Sequence, residues 1–113
     1  MSDNTSKPRA VKEYEQLDPK ILEQIKLTYP YGFSEHLIRF TNQKRKYISA
    51  LPFETNDKYF LVKMTSERAE EIIEDDMDYD DYGTLKEEVQ AKLAKKYAKL
   101  DYIKPVEEPE DDF

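Results

Sequence analysis

The spacing of apolar residues changes twice along this 113-residue chain, and that change most limits the folds open to it. Up to Tyr29 the apolar residues recur every three or four positions, which is typical of one face of a helix. From Leu37 to Met64 they form short runs between polar breaks, which indicates strands joined by tight turns. From Ala69 to Leu100 the helical spacing returns. This order favours one α+β domain with helices on one face of a small sheet.

The first helix is predicted over residues 18–28. Asp18 is a good N-cap, because its carboxylate can accept hydrogen bonds from free amides of the first turn. Pro19 suits the first helical position, where the missing N–H has no partner to lose. Pro30 disfavours helical backbone at Tyr29 and therefore ends the helix.

Three strands are predicted over residues 36–41, 46–51 and 58–64. Polar breaks of hairpin length separate them, so the simplest arrangement is an antiparallel three-stranded meander. Pro52 should end the second strand or confine it to a sheet edge. The third strand, with the sequence KYFLVKM, is apolar on both faces and should be central.

Two helices are predicted after the sheet. Thr65 or Ser66 can cap a helix that begins at Glu67, and a second helix spans residues 84–101. The second helix would begin with a capping box, in which the side chains of Thr84 and Glu87 each accept a backbone N–H of the first turn. The predicted fold is thus α+β, with one N-terminal and two C-terminal helices on a three-stranded antiparallel sheet.

The chain ends carry no apolar periodicity. Residues 1–12 are predicted to be a disordered N-terminal segment, and residues 104–113 a disordered acidic tail. A single α+β domain should occupy residues 13–103.

Composition excludes several classes of chemistry. The chain has no cysteine and one histidine, so thiol chemistry and multi-histidine metal centres are excluded. Two glycines cannot form a glycine-rich nucleotide loop, and no nucleophile motif occurs. We therefore predict no catalytic residue, no cofactor and no enzymatic activity. No apolar run is long enough for a membrane helix, and the N-terminus lacks a signal-peptide pattern, so a cytoplasmic protein with no membrane partner is expected.

Charge is unevenly distributed along the chain. Residues 1–65 hold 11 Lys or Arg and 8 Asp or Glu, whereas residues 66–113 hold 7 and 17. Acidic segments that contain aromatic residues can dock on basic partners. We therefore predict a small accessory protein that binds a basic protein surface, expected on the transcription, replication or ribosomal machinery. The predicted contacts are Asp75, Asp76, Asp78, Tyr79, Asp80, Asp81 and Tyr82. Alternatively, these tyrosines pack on the last helix, and the segment is only a linker.

Two other functions remain open at this point. A single-stranded nucleic acid could bind the sheet face of residues 39–63, because basic residues beside aromatic ones can hold phosphates and bases. The contacts would be Arg39, Lys44, Arg45, Lys46 and Tyr47. A divalent cation could instead act as a switch at residues 76–87, where four carboxylates have calcium-loop spacing: Asp76, Asp78, Asp80 and Glu87. Asp81 stands where such a loop needs glycine, which favours an acidic linker without metal.

Three segments carry a resemblance to a known group of proteins. LDPKILEQIKLTYPYGF, HLIRFTNQ and ALPFETNDKYFLVKM resemble a group of short, acidic, cytoplasmic bacterial proteins. That group shares a helix opened by x-P, a Y/F-P-x-G turn and a Y-x-V-K strand. The resemblance covers under half of the chain. It implies the α+β outline and a bacterial cytosolic setting, and it assigns no site residue.

Overall fold

Seven regular elements form one α+β unit in the computed structural model, which describes residues 7–108. They are β1 (Arg9–Glu13), α1 (Pro19–Thr28), β2 (Ile38–Thr41), β3 (Tyr47–Glu54), β4 (Tyr59–Lys63), α2 (Ser66–Asp75) and α3 (Glu87–Lys96). Single turns of 3-10 helix lie at Tyr14–Gln16 and Ser34–His36. The α+β class is confirmed. Within residues 7–108 no helix has the length and apolar character needed to cross a bilayer.

The sheet has four strands in the order β1-β4-β3-β2. Strands β2, β3 and β4 form an antiparallel meander, in which Leu51 lies opposite Val62. Strand β1 joins the other side of β4 in parallel, with Ala10 opposite Phe60. The prediction of a three-stranded antiparallel sheet is therefore wrong, because the sheet is mixed and has a fourth strand.

Strand β1 lies largely in the segment for which the sequence predicts disorder. Its sequence, RAVKE, holds two apolar residues, and of these Ala10 packs against the core. Its partner lies 50 positions later, since Arg9 pairs with Tyr59. Backbone hydrogen bonds to β4 hold this strand, and composition does not reveal them. Residues 1–6 of the predicted disordered segment lie outside the described residues.

The core lies between the helices and one face of the sheet. Alternate side chains of β3 and β4 point to this face, and α1 and α2 cover it. The fully buried ring of Phe33, from the turn after α1, completes the packing. The main contributors are Ile25, Tyr29, Leu51, Phe53, Phe60, Val62, Ala69, Ile72 and Ile73.

The last helix is shorter than predicted, and it lacks the predicted capping box. Helix α3 begins at Glu87, and its N-cap, Lys86, makes no side-chain cap bond. Leu85 is instead extended: it bridges Tyr79, and its N–H donates to the carbonyl of Pro30 at 2.7 Å. This pairing holds residues 84–86 out of the helix. The predicted cap at Thr84 is therefore wrong.

Residues 104–108, the described part of the predicted acidic tail, contain no helix or strand. The N–H of Val106 nevertheless donates to the carbonyl of Thr28 at 2.9 Å, and the Val106 side chain packs at the edge of the core. Residues 109–113 lie outside the described residues.

Candidate interaction surfaces

The acidic loop after α2 is an ordered turn, because carboxylates of the loop accept hydrogen bonds from the loop's own backbone N–H groups. Asp76 accepts the N–H of Asp78 at 2.8 Å. Asp80 accepts the N–H groups of Tyr82 and Thr84 at 2.8 and 3.0 Å. These bonds hold the backbone of the loop in place.

Tyr79 points into the protein, so the expectation that its ring is available to a partner is wrong. It is 5% exposed, and its hydroxyl donates to the carbonyl of Tyr29 at 2.9 Å. Its ring meets Phe33 edge-on. Burial raises the pKa of the Tyr79 phenol. Tyr79 thus packs on the end of α1 and on Phe33, and not on the last helix as the alternative had it.

Two of the predicted acidic contacts are taken up by Lys26 of α1. Its ammonium lies 2.7 Å from Asp76 and 2.9 Å from Asp78. Burial lowers the pKa of Lys26, but the hydrogen bonds and charges of the two carboxylates outweigh it, and the net shift is upward. No pattern in the sequence identified Lys26 as a partner of the acidic loop, because only the tertiary fold brings it there.

The four candidate metal ligands are not brought together. Among residues 7–108, no group of three or more Asp, Glu, His or Cys side chains is placed to hold a metal ion. Asp76 pairs with Lys26, Asp80 binds backbone amides, and Glu87 opens α3. The calcium-loop spacing of these four residues in the sequence therefore does not bring them together in the structure.

Tyr82 is the loop residue that remains available, together with Asp80 and Asp81. Its ring is 93% exposed and stands beside a cleft of about 250 Å³. Phe33 and Ile73 are among the apolar residues that line this cleft. We call it the acidic cleft, and its polar and aromatic walls are Tyr31, Glu70, Glu74 and Tyr82.

The sequence did not single out Glu70, Glu74 or Tyr31. The two carboxylates lie one helical turn apart on α2, where like charges repel. Neither has a Lys or Arg nitrogen within 4.0 Å among residues 7–108. An i, i+4 pair of acids beside an apolar stripe is a signal that could have identified them.

Asp75 is exposed but belongs to a different surface. It lines a separate depression with Arg68 and Met77. Of the seven predicted acidic contacts, the structure thus leaves only Asp80, Asp81 and Tyr82 next to the acidic cleft.

The predicted nucleic-acid contacts cluster at the end of the β2–β3 hairpin. Lys44, Arg45 and Lys46 form its loop, and Tyr47 is 77% exposed. Asn42 shapes the loop, because its side-chain oxygen accepts the N–H groups of Lys44 and Lys46. We call this cluster, with Arg39, the basic hairpin. Within the described chain, none of its cations lies within 4.0 Å of a carboxylate.

One of the two sides of the sheet that could continue this site is covered. Arg39 pairs with Ser49, and that side of the sheet runs on to Leu51 and Phe53 under the helices. On this side of the sheet only the hairpin end is exposed, and binding of nucleic acid to the 39–63 strands stays a prediction.

Comparison of the chain with models of known protein families, with curated proteins and with solved structures finds no match.

Proposed function

We propose that the chain is a small non-enzymatic accessory protein that binds a basic segment of another protein in the acidic cleft. The single observation behind this is the exposure of Tyr82 beside Glu70 and Glu74, which form no ion pair within residues 7–108. A large aromatic side chain held out in water by an ordered turn gains nothing for folding. Aromatic residues in such positions are common anchors of interfaces.

The chemistry of the cleft suits a lysine or arginine side chain. A cation can lie against the faces of Tyr31 and Tyr82 while it pairs with Glu70 or Glu74. The volume of about 250 Å³ lies below the roughly 300–1,000 Å³ of pockets for drug-sized ligands. This size favours one inserted side chain over a small molecule.

A second depression on the surface is a poorer binding site for a charged partner than the acidic cleft. It measures about 470 Å³, and its charged lining residues pair with each other. Lys63 lies 3.1 Å from Glu13, and Arg68 pairs with Glu15. A charged partner would have to break these pairs, whereas Glu70 and Glu74 have no such pair to lose.

Asp80 and Asp81 extend the acidic surface beyond the cleft, so several basic residues can be engaged. Basic segments are common on the transcription, replication and ribosomal machinery, which we propose as the source of the partner. The cytoplasm is the proposed setting, where a chain without cysteine is ordinary.

Amide NMR with an arginine-rich peptide tests the proposal directly. The only two glycines of the chain, Gly32 and Gly83, both line the acidic cleft, so their resonances report on it. We expect both to shift on titration, and the shifts to weaken as salt is added. The double variant Glu70→Gln/Glu74→Gln should lose most of the binding, and so should Tyr82→Ser.

Tyr47→Ser is the matched control, because Tyr47 is the other strongly exposed tyrosine and lies on the basic hairpin. It should bind as the wild type does. Unmoved Gly32 and Gly83 resonances at saturating peptide would reject the proposal.

A second candidate function, binding of single-stranded nucleic acid, is supported by the basic hairpin, whose cations have no carboxylate within 4.0 Å in the described part of the chain. Fluorescence anisotropy with a single-stranded oligonucleotide at low salt measures it. Lys44→Gln/Lys46→Gln should weaken binding and lower the salt slope by about 1.4, at about 0.7 per lost phosphate contact. Lys92→Gln/Lys95→Gln removes the same charge from α3 and should change little. Equal loss in both double variants would indicate non-specific attraction only.

A further inference from the structure

One face of the sheet is apolar, and none of the helices within residues 7–108 packs on it. Strand alternation directs Leu51, Phe53, Phe60 and Val62 to the helices, so their neighbours point the other way. We call this second side the open face, and its larger apolar residues are Val11, Ile38, Phe40, Ile48, Pro52 and Leu61.

The exposure of these residues fits that assignment. Val11 is 46% exposed and Ile38 is 39% exposed, whereas Leu61, at the centre of the face, is 2% exposed. Leu61 is shielded by its register partners, Val11 on one side and Pro52 on the other. Val11 and Ile38 lie on the two edge strands. Three half-buried residues share the face with them on β2 and β3, namely Phe40, Ile48 and Pro52. Apolar residues grouped on one exposed face can mark an interaction site.

The charges on the open face are already neutralised in pairs. Lys63 lies 3.1 Å from Glu13, and Lys7 lies 2.6 Å from Glu54. The face therefore offers a charged partner little to bind. Among the strand residues that point to this face, Arg9 is the one charged residue outside these pairs. The acidic cleft, by contrast, lies by α2 on the helical side.

The charge pattern favours a second copy of the chain as the occupant. The chain carries a net charge of -7, so two copies repel each other wherever their acidic helical sides meet. The open face is largely apolar and carries one positive charge, Arg9, outside the ion pairs, so meeting its own copy there costs less repulsion and keeps the acidic sides apart. Two sheets with apolar inner faces pack about 10 Å apart.

We propose that two copies of the chain pair open face to open face as a two-fold symmetric sandwich. Four strands about 4.8 Å apart and about five residues long give a face of about 19 by 17 Å. Pairing two such faces buries roughly 650 Å² in total, which is less than the roughly 1,200 Å² of a stable specific interface. The dimer should therefore be weak and transient, and it should form only at high concentration.

Sedimentation velocity over a range of concentrations tests the proposal. The wild type should shift from monomer to dimer as concentration rises. Ile38→Lys places a charge in the contact from each copy and should raise the dimer Kd by about a hundredfold or more. Met77→Lys makes the same charge change at a residue 84% exposed but off the open face, and it should dimerise as the wild type does.

Val11→Lys is a second disrupting variant on another strand, and circular dichroism establishes that each variant is folded. Concentration-dependent NMR shifts of the wild type need no variant and should be confined to the open face. A wild type that stays monomeric at every concentration would overturn the proposal. So would an Ile38→Lys variant that is folded and dimerises normally. Tyr82→Ser should leave the dimer unchanged, which separates this test from that of the acidic cleft.

Discussion

The hydroxyl of Tyr79 joins the acidic loop to the end of α1. It donates to the backbone carbonyl of Tyr29 at 2.9 Å, and Tyr29 in turn donates its own hydroxyl to the carbonyl of Pro52 at 2.5 Å. Loop, helix and sheet are thus connected by two buried tyrosines. Through this connection the loop that carries Tyr82 is attached to the core.

Tyr79→Phe should lower the free energy of unfolding by about 1 kcal/mol, because the Tyr29 carbonyl loses one of its two donors and keeps only the Gly32 N–H at 3.3 Å. Urea unfolding at neutral pH measures the change. Tyr82→Phe is the matched control, since the Tyr82 ring is exposed, and its effect should stay within about 0.5 kcal/mol. Equal effects of the two substitutions would contradict the assigned hydrogen bond.

Arg45 is the one non-glycine residue with positive φ between residues 7 and 108, at 61°. The hairpin loop demands this left-handed backbone, which disfavours residues with a Cβ by about 1–2 kcal/mol. Arg45→Gly should therefore stabilise the protein by about 0.5–1 kcal/mol, after the extra freedom of glycine in the unfolded chain is subtracted. Thermal unfolding checks this, and Lys44→Gly should instead destabilise.

At the scale of elements, the start of each helix depends on its neighbours as much as on its own residues. Thr65 caps α2, and its hydroxyl accepts the N–H of Arg68 at 3.0 Å. Thr84 has an equally good local pattern, yet its position is extended because Leu85 pairs with Tyr79. Only one of the two threonines is a cap.

Thr65→Ala should cost about 1 kcal/mol of stability, because α2 loses its N-cap. Thr84→Ala should change stability by less than about 0.5 kcal/mol, since no cap bond is lost there. Chemical denaturation of the two variants side by side checks the difference. A larger loss for Thr84→Ala would favour the capping box after all.

Strand β3 runs through Pro52 instead of stopping there. Strand β2 pairs with β3 only as far as Ala50, so beyond that point one side of β3 has no partner strand. The carbonyl of Pro52 faces this free side, where it accepts the Tyr29 hydroxyl. In an antiparallel strand the N–H of a residue points the same way as its carbonyl, so the proline removes no ladder bond.

At the scale of the whole molecule, the buried tyrosines and Lys26 make stability depend on alkaline pH. Burial raises the pKa of Tyr29 from the ordinary 10.0 to about 12, and burial also raises the pKa of Tyr79 above 10.0. The pKa of Lys26 is raised by its two carboxylates. A group with a raised folded pKa stabilises below its unfolded pKa and loses that contribution as pH rises through the folded value.

We therefore expect stability to hold up to about pH 10 and then to fall, with about 2 kcal/mol lost by pH 12 from Tyr29 alone. Urea unfolding at a series of pH values measures this fall. Tyr29→Phe should reduce it, and Tyr47→Phe, at an exposed ring, should leave it intact. A fall of the same size in Tyr29→Phe would show that other groups are responsible.

Local chemistry was sufficient to predict much of the fold. Asp18 and Pro19 start α1 as expected, Thr65 caps α2, and the β2–β3–β4 meander follows its apolar runs. These features depend on residues within a few positions of each other, so their physics is present in the sequence. The charge imbalance between the two halves of the chain is likewise a property of the sequence alone.

Tertiary structure decided the features that depend on distant partners. β1 needs β4, Tyr79 needs Tyr29, Lys26 needs Asp76, and the extended Leu85 needs Pro30. Each contact joins residues about 50 positions apart in the chain, and no local pattern encodes such a pairing. For the same reason the sequence alone predicted only that the segment is acidic. The tertiary fold determines that Tyr82 is exposed beside Glu70 and Glu74.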